Sequence, residues 1–380
     1  MKNRITLVAA LATMVMYLQP QPSQAGSDVT LRVRPAAQEA DAANAGLVYT
    51  LPSTVLRIKL QAYAVVSSVG PFFQYSSRLL NAQDVVTENK VEWTLVGAQV
   101  QTVGAPDYTK MFVVSATNPA DLPSLAFSPD GVLHSVNADP QSPDPQTVAP
   151  YAPIKNSVSL PPFASFADAQ LPQTVLTRTS KAAMAEECAK AIFALRDNRL
   201  DLLSGAQEAQ MPDAGAMEQT MAHIARLEQK QMELFVGHRD TVWVDWFVDI
   251  VPDYNGAANL VPVRFSQSAG FVDAMDLTGK PIYVDLEFDD RTHVNAIPET
   301  SKERAKAPLS GLRYMIPGLL TVRVLDRNVL LTQQTVECTQ NGQIATLPAS
   351  MLQTHKLTFS PATGRLLSVV KIPNSNSVKK

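Results

Sequence analysis

The densest run of potentially reactive side chains is Asp285-Leu286-Glu287-Phe288-Asp289-Asp290. In an extended strand alternate residues share a face about 7 Å apart, so Asp285, Glu287 and Asp289 would stand in one row. Carboxylates in a row suit a hard cation such as Ca²⁺, and two of them at about 5 to 9.5 Å form the catalytic pair of a glycosidase. A second strand, Val242–Ile250, interleaves Asp245 and Asp249 with Trp243 and Phe247. Exposed aromatics beside carboxylates stack on sugar rings, and packing beneath a helical element explains the same pattern. The first run also reads as a half-solvated strand, apolar inward and acidic outward, and the second as a face packed beneath the helical hairpin; those are the readings we adopt. The alternative is a carbohydrate-active or other hydrolase using Asp285, Glu287 and Asp245.

Other chemistry finds less footing. His134, His223, His238, His293 and His355 lack metal-ligand spacing, and neither a Gly-x-Ser-x-Gly elbow nor a phosphate-cradling Gly-x-x-x-x-Gly-Lys occurs. His238-Arg239-Asp240 matches a kinase tripeptide without the glycine-rich loop or Asp-Phe-Gly that would give it meaning. Cys188 and Cys338 are the two cysteines, with no Cys-x-x-Cys. In an oxidising compartment they could pair, closing a loop worth about 4 kcal/mol. Cys188 nevertheless sits beside Ala185 and Ala189 in a helical pattern, where a thiol is an ordinary small hydrophobe. No metal and no cofactor is expected.

The elements that would position these residues alternate in period. Strand-like spacing runs from Leu31 to Asn137, notably over Leu47–Val66, Val91–Val100 and Lys110–Ala116. Gly70-Pro71-Phe72-Phe73-Gln74-Tyr75 opens a short helix, and the loop around Phe72, Phe73 and Tyr75 is a candidate contact surface, as is Trp243. Seven prolines between Asp139 and Pro162 mark a linker or long surface loop.

Over Thr179–Gly237 the spacing becomes helical. Thr179 or Ser180 caps one helix, Gly205 ends it, and after Met211-Pro212-Asp213 a second helix runs to Gly237, giving an antiparallel hairpin. Arg196, Asp197, Arg199 and Asp201 on one helix face Glu228 and Glu233 on the other as ion-pair partners. Strands resume at Thr241, with Val244, Trp246 and Val248 on one face. Leu125–Val136 is echoed by Leu357–Val369, each a strand, a Pro/Gly turn and a strand, which suggests two related β-rich halves.

The N-terminus supplies an address. Lys2 and Arg4, the apolar run Ile5–Leu18 and the small residues of Ser23-Gln24-Ala25 have the layout of a secretory signal peptide, with Gly26 first in the mature chain. Removing Lys2 and Arg4 leaves 30 basic against 35 acidic residues, a net charge of −5 that argues against nucleic-acid binding. No later apolar run reaches the length of a membrane-spanning helix.

Several segments together resemble a known family: Gly46-Leu47-Val48-Tyr49-Thr50-Leu51-Pro52, Gly70-Pro71-Phe72, Ile192-Phe193-Ala194-Leu195-Arg196, Arg199-Leu200-Asp201-Leu202-Leu203-Ser204-Gly205, Leu234-Phe235-Val236-Gly237, Tyr314-Met315-Ile316-Pro317-Gly318 and the closing Phe359-to-Leu366 hairpin. On these residues the chain resembles the exported family called domain of unknown function 4831, of Bacteroidetes-type envelope proteins. The resemblance implies export in a Gram-negative cell and a β-rich fold with a helical insertion, and brings no catalytic residues. Residues 139–162 look like an elaboration beyond that family's pattern.

The expected protein is mainly β within the α+β class, with two sandwich-like β-rich domains and an inserted antiparallel helical hairpin. Its parts are a leader (1–25), an N-terminal β-rich domain (26–138), a proline-rich linker or loop (139–178), the hairpin (179–237), a C-terminal β-rich domain (238–373) and a polar tail (374–380). The expected role is a periplasmic or outer-membrane-associated binding or assembly module, meeting an envelope protein or glycan, without enzymatic activity.

Overall fold

A computed structural model describes residues 31–36, 46–116, 122–137, 150–166, 171, 173–204, 214–254, 260–289 and 311–372. The leader, Gly26, the first part of the proline-rich stretch, the Gly205 and Met211–Asp213 turn, His293 and the polar tail lie outside the described residues.

The described residues form thirteen strands: β1 Leu31–Pro35, β2 Leu47–Ser68, β3 Lys90–Ala116, β4 Leu125–Phe127, β5 Leu133–Val136, β6 His238–Ile250, β7 Leu260–Ser266, β8 Gly270–Val272, β9 Lys280–Phe288, β10 Gly311–Asp326, β11 Val329–Pro348, β12 His355–Phe359 and β13 Leu366–Lys371. They form three antiparallel sheets, ordered β1-β3-β2-β6, β11-β10-β9-β7-β8 and β13-β12-β5-β4. The helices are α1 Ser76–Leu80, α2 Gln173–Leu176, α3 Lys181–Ser204, α4 Ala214–Val236 and α5 Ala349–Thr354. The mainly-β α+β class expected from the sequence is the class that forms.

Period-2 burial makes the first two sheets a sandwich. Leu56, Ile58, Leu60, Ala62 and Ala64 of β2 interdigitate with Ile282 and Val284 of β9 and with Leu320, Val322 and Val324 of β10. The two halves of the chain are not separate sheets, however. β6 pairs with β2 from Leu56↔Ile250 to Ser68↔His238, so a strand that follows the hairpin completes the first sheet. Val242 and Val244 find their apolar partners across that sandwich, which a division of the chain into consecutive domains would leave uncovered.

The echoed hairpins show the same sharing. β4-β5 and β12-β13 lie side by side in the third sheet, joined by Leu357↔Val136 and Thr358↔Ser135. Both turns close from a glycine back to the serine, the second one residue longer: Gly131 N–H donates to Ser128 O at 2.9 Å, and Gly364 N–H to Ser360 O at 2.7 Å. Both strands before the turn shift register at the equivalent phenylalanine, Phe127 and Phe359. This sheet covers a second core built on Tyr49, Leu51, Leu312, Leu357 and Phe359.

The helical hairpin packs as a third unit. Ser180 caps α3, its Oγ accepting from Ala183 N–H at 3.2 Å. Arg196 and Arg199 reach across to Glu228 at 2.7 and 2.9 Å, as their spacing predicts. At the end of α4, Gly237 turns the chain into β6 with φ +83°, and a Cβ there would meet Ser68 O at 2.6 Å.

Candidate functional site

β6 is an edge strand of the sandwich, and its two faces carry different loads. Inward, Val244 is buried and Trp246 lies on Phe271 with ring centroids 5.2 Å apart and an interplanar angle of 23°. Outward, Trp243 is 65% exposed, far above what packing under a helix would leave. Packing beneath the hairpin therefore does not explain Trp243. Its aromatic neighbour among the described residues is Tyr63 on β2, at 5.3 Å between centroids.

The register places Trp243, Tyr63 and Thr94 side by side on β6, β2 and β3. Next to them the β2-β3 ladder slips: Gln61 faces Gly97 and Ala62 faces Leu95, which leaves Val96 bulged and 50% exposed. The row is therefore an aromatic and aliphatic ridge on an otherwise polar sheet. An open groove of about 900 Å³ adjoins it, lined by Tyr63, Glu92, Thr94, Arg239, Gln267 and Lys280 among others.

Charges around the ridge are matched in pairs. Lys59 Nζ meets Asp245 at 2.8 Å and Gln61 donates to the same carboxylate at 3.3 Å. Arg57 donates to both oxygens of Asp249 at 2.8 Å, and Tyr151 hydroxyl donates to Oδ2 at 3.0 Å. The hydrogen bond from Lys59 holds the Asp245 carboxyl below the usual carboxylate range, and that from Arg57 does the same for Asp249. A glycosidase acid needs the opposite shift, so neither carboxyl is tuned to give up a proton at neutral pH.

Residues 150–166, within the stretch expected as a linker or long surface loop, strap the outer edge of β6. The Asn156 side chain donates to Phe247 O at 2.7 Å and accepts from Phe247 N–H at 2.8 Å, supplying the two bonds that another strand would make. Arg57 donates to Ala152 O at 2.7 Å, and Ala164 N–H to Ser68 Oγ at 2.7 Å. Leu160 tucks into the sandwich core, beside a cavity of about 540 Å³ bordered by Trp93, Trp246 and Phe271. Proline suits this task, since a strap with few N–H donors exposes no new edge of its own.

A polar cluster lies where the strap, α4 and β6 meet. His238 has one ring nitrogen 3.3 Å from Glu233 and the other 2.8 Å from Asp240, while Lys230 bonds Glu233 at 3.0 Å. The cluster borders a pocket of about 380 Å³ that also takes in His223, Arg226 and Phe166. It ties the end of the hairpin to the start of β6, and Glu233 thus turns away from the cross-helix pairing expected of it.

The remaining candidates separate. Asp285 and Glu287 lie on the outward face of β9, where Glu287 pairs with Arg323 at 3.1 Å. That is the opposite outer face from Asp245 and Trp243, so the three carboxylates share no cleft. Among the described residues no cluster of three or more His, Cys, Asp or Glu could hold a metal ion. Phe72 is 3% exposed and packs on Phe235 at 5.5 Å, so it anchors the hairpin and is no contact residue. Phe73 and Tyr75 are half-buried beside it. Cys188 and Cys338 are free thiols buried in different cores and do not pair, so Cys188 is the small core hydrophobe its helical neighbours suggested. Burial pushes the Cys188 thiol up to about 12, leaving it unreactive at neutral pH.

The sequence showed Trp243 but not its platform. Tyr63 stands between Ala62 and Ala64, the small inward residues that make the alternation visible, yet only the β2-β6 pairing brings it to Trp243.

The arrangement matches a family model described as Domain of unknown function (DUF4831) over residues 45–367. The chain belongs to that family. The match runs from just before β2 into the start of β13, and so takes in both long hairpins, the helical insertion, the ridge and residues 150–166, while β1 lies outside it. No curated protein and no solved structure matches the chain. No helix among the described residues is long and apolar enough to cross a membrane.

Proposed function

We propose that the chain is an exported, non-enzymatic binding module of the bacterial envelope, which meets its partner through the outer face of the β1-β3-β2-β6 sheet. The observation that carries this reading is Trp243, a large aromatic held 65% exposed on a rigid sheet against Tyr63, whose own side lines a groove. Exposing a tryptophan forfeits the favourable transfer that its burial would provide, and a ligand that covers it recovers that term. The residues Lys2 to Ala25 support export.

The test is co-sedimentation of the purified mature chain with a Gram-negative envelope fraction. Wild type and Glu287→Gln should sediment alike, and Trp243→Ala should remain in the supernatant. Equal sedimentation of all three, or of none, would overturn the reading.

A further inference from the structure

We infer that the ligand of the Trp243 face is a neutral glycan, its sugar rings laid on Trp243 and Tyr63 and its chain continuing toward the adjoining groove. This rests on the proposal that the face is the contact surface, and adds the chemistry of what it contacts.

Three observations select the ligand class. First, charge: the ionised groups flanking the ridge are already matched, Lys59 with Asp245, Arg57 with Asp249, Lys90 with Glu92 at 3.2 Å and Arg239 with Asp84 at 2.8 Å. Glu88 and Lys280, which also border the groove, are of opposite sign. The face therefore presents no net field to attract a phosphate, a sulfated chain or a nucleic acid. Second, extent: among the described residues the apolar surface of this face is a narrow row of Trp243, Tyr63, Val65 and Val96, with half-buried Phe247 beyond Asp245, interrupted by those ion pairs. A stable protein interface buries about 1,200 to 2,000 Å² around an apolar centre, which a ridge a few side chains wide does not supply. An extended peptide could add to the edge of β6, but Asn156 occupies the bonding groups of Phe247 there.

Third, the polar groups beside the ridge suit hydroxyls. Thr94 and Thr241 offer exposed hydroxyls, Gln61 an amide and Asp245 an ionised carboxylate whose second oxygen is held by Lys59. Hydroxyls both donate and accept, so a sugar can bond to carboxylate and amide together while its C–H face covers an aromatic ring. The ion pairs fix these acceptors before the ligand arrives, which reduces the ordering cost of binding.

The experiment uses the mature chain with a Gram-negative envelope fraction divided into untreated, protease-digested and periodate-oxidised portions, since periodate cleaves the vicinal diols of sugars. Wild type, Trp243→Ala and Trp243→Phe are compared by co-sedimentation, each checked for an unchanged unfolding midpoint. Binding to the untreated portion should weaken about tenfold or more in Trp243→Ala and stay within about threefold in Trp243→Phe, the scale of one aromatic contact. Periodate should abolish the Trp243-dependent binding. Its retention after periodate overturns the glycan, and leaves the contact face standing if Trp243→Ala still releases the chain. Absence of any Trp243-dependent binding overturns both.

Discussion

The two outer faces of the sandwich begin from the same alternation of apolar and acidic residues and become different surfaces. On β9 and β10 the outward side chains pair across strands: Glu287 with Arg323 at 3.1 Å, and Thr321 on β10 with Thr335 on β11 at 3.1 Å. That face is a solvated ladder whose groups satisfy each other, each pair worth a fraction of a kcal/mol. On β6, β2 and β3 the charges also pair, but around an aromatic ridge that none of the described residues covers. The difference is a matter of edges. β6 is reached by the strap, which binds Asp249 and Phe247 at one end of the strand and leaves Trp243 open at the other. Acidic alternation thus marks a half-buried strand in both places, and the exposed tryptophan is what distinguishes the proposed contact face.

Trp246 and Trp243 give the sharpest way to break this contrast, being three residues apart on one strand and facing opposite ways. Trp246→Ala should cost about 3 kcal/mol of stability, read as a lower urea midpoint, because it removes the ring stacked on Phe271 inside the sandwich. Trp243→Ala should instead leave the midpoint within about 0.5 kcal/mol and cost binding, since its ring lies mostly in water. A reversed outcome would assign the two faces wrongly.

The strap comes next. Asn156→Ala should cost about 1 to 2 kcal/mol and speed hydrogen exchange at the Phe247 amide, because the edge of β6 loses its donor and acceptor together. Asp249→Asn should cost a similar amount at pH 7 by loosening Arg57 and Tyr151. The Asp249 carboxyl titrates lower in the folded chain than its ordinary value of 3.8, so its stabilisation is complete above that value. It is lost as pH falls through the lower folded value, and unfolding curves of variant and wild type should converge there. Smallest of all, Glu287→Gln should change stability by less than about 0.5 kcal/mol and binding not at all.

Much of the fold was legible because burial follows period. The inward rows of β2, β6 and β9, the Ser180 cap and the Arg196–Glu228 pairing were all visible in residue spacing. What spacing cannot carry is which strand lies beside which. The β2-β6 pairing spans a separation of nearly two hundred residues, and it both merges the two halves and creates the Trp243–Tyr63 ridge. Phe72 misled for a related reason: an aromatic after Gly70-Pro71 looks like a loop tip until α4 is known to press on it. The strap was invisible because its anchor is one asparagine side chain, with no periodic signal of its own. The carboxylate row on β9 was correctly read as a strand face, and its chemistry dissolved once Asp245 lay across the sandwich.

Hydrogen exchange of the mature chain, with and without saturating Gram-negative envelope material, tests the central claim most directly. Slowed exchange confined to residues 61–65, 92–97 and 239–245, with 283–288 and 321–335 unchanged, is the result that the account predicts. Protection concentrated on 283–288 and 321–335, with the Trp243 strand unaffected, would contradict it.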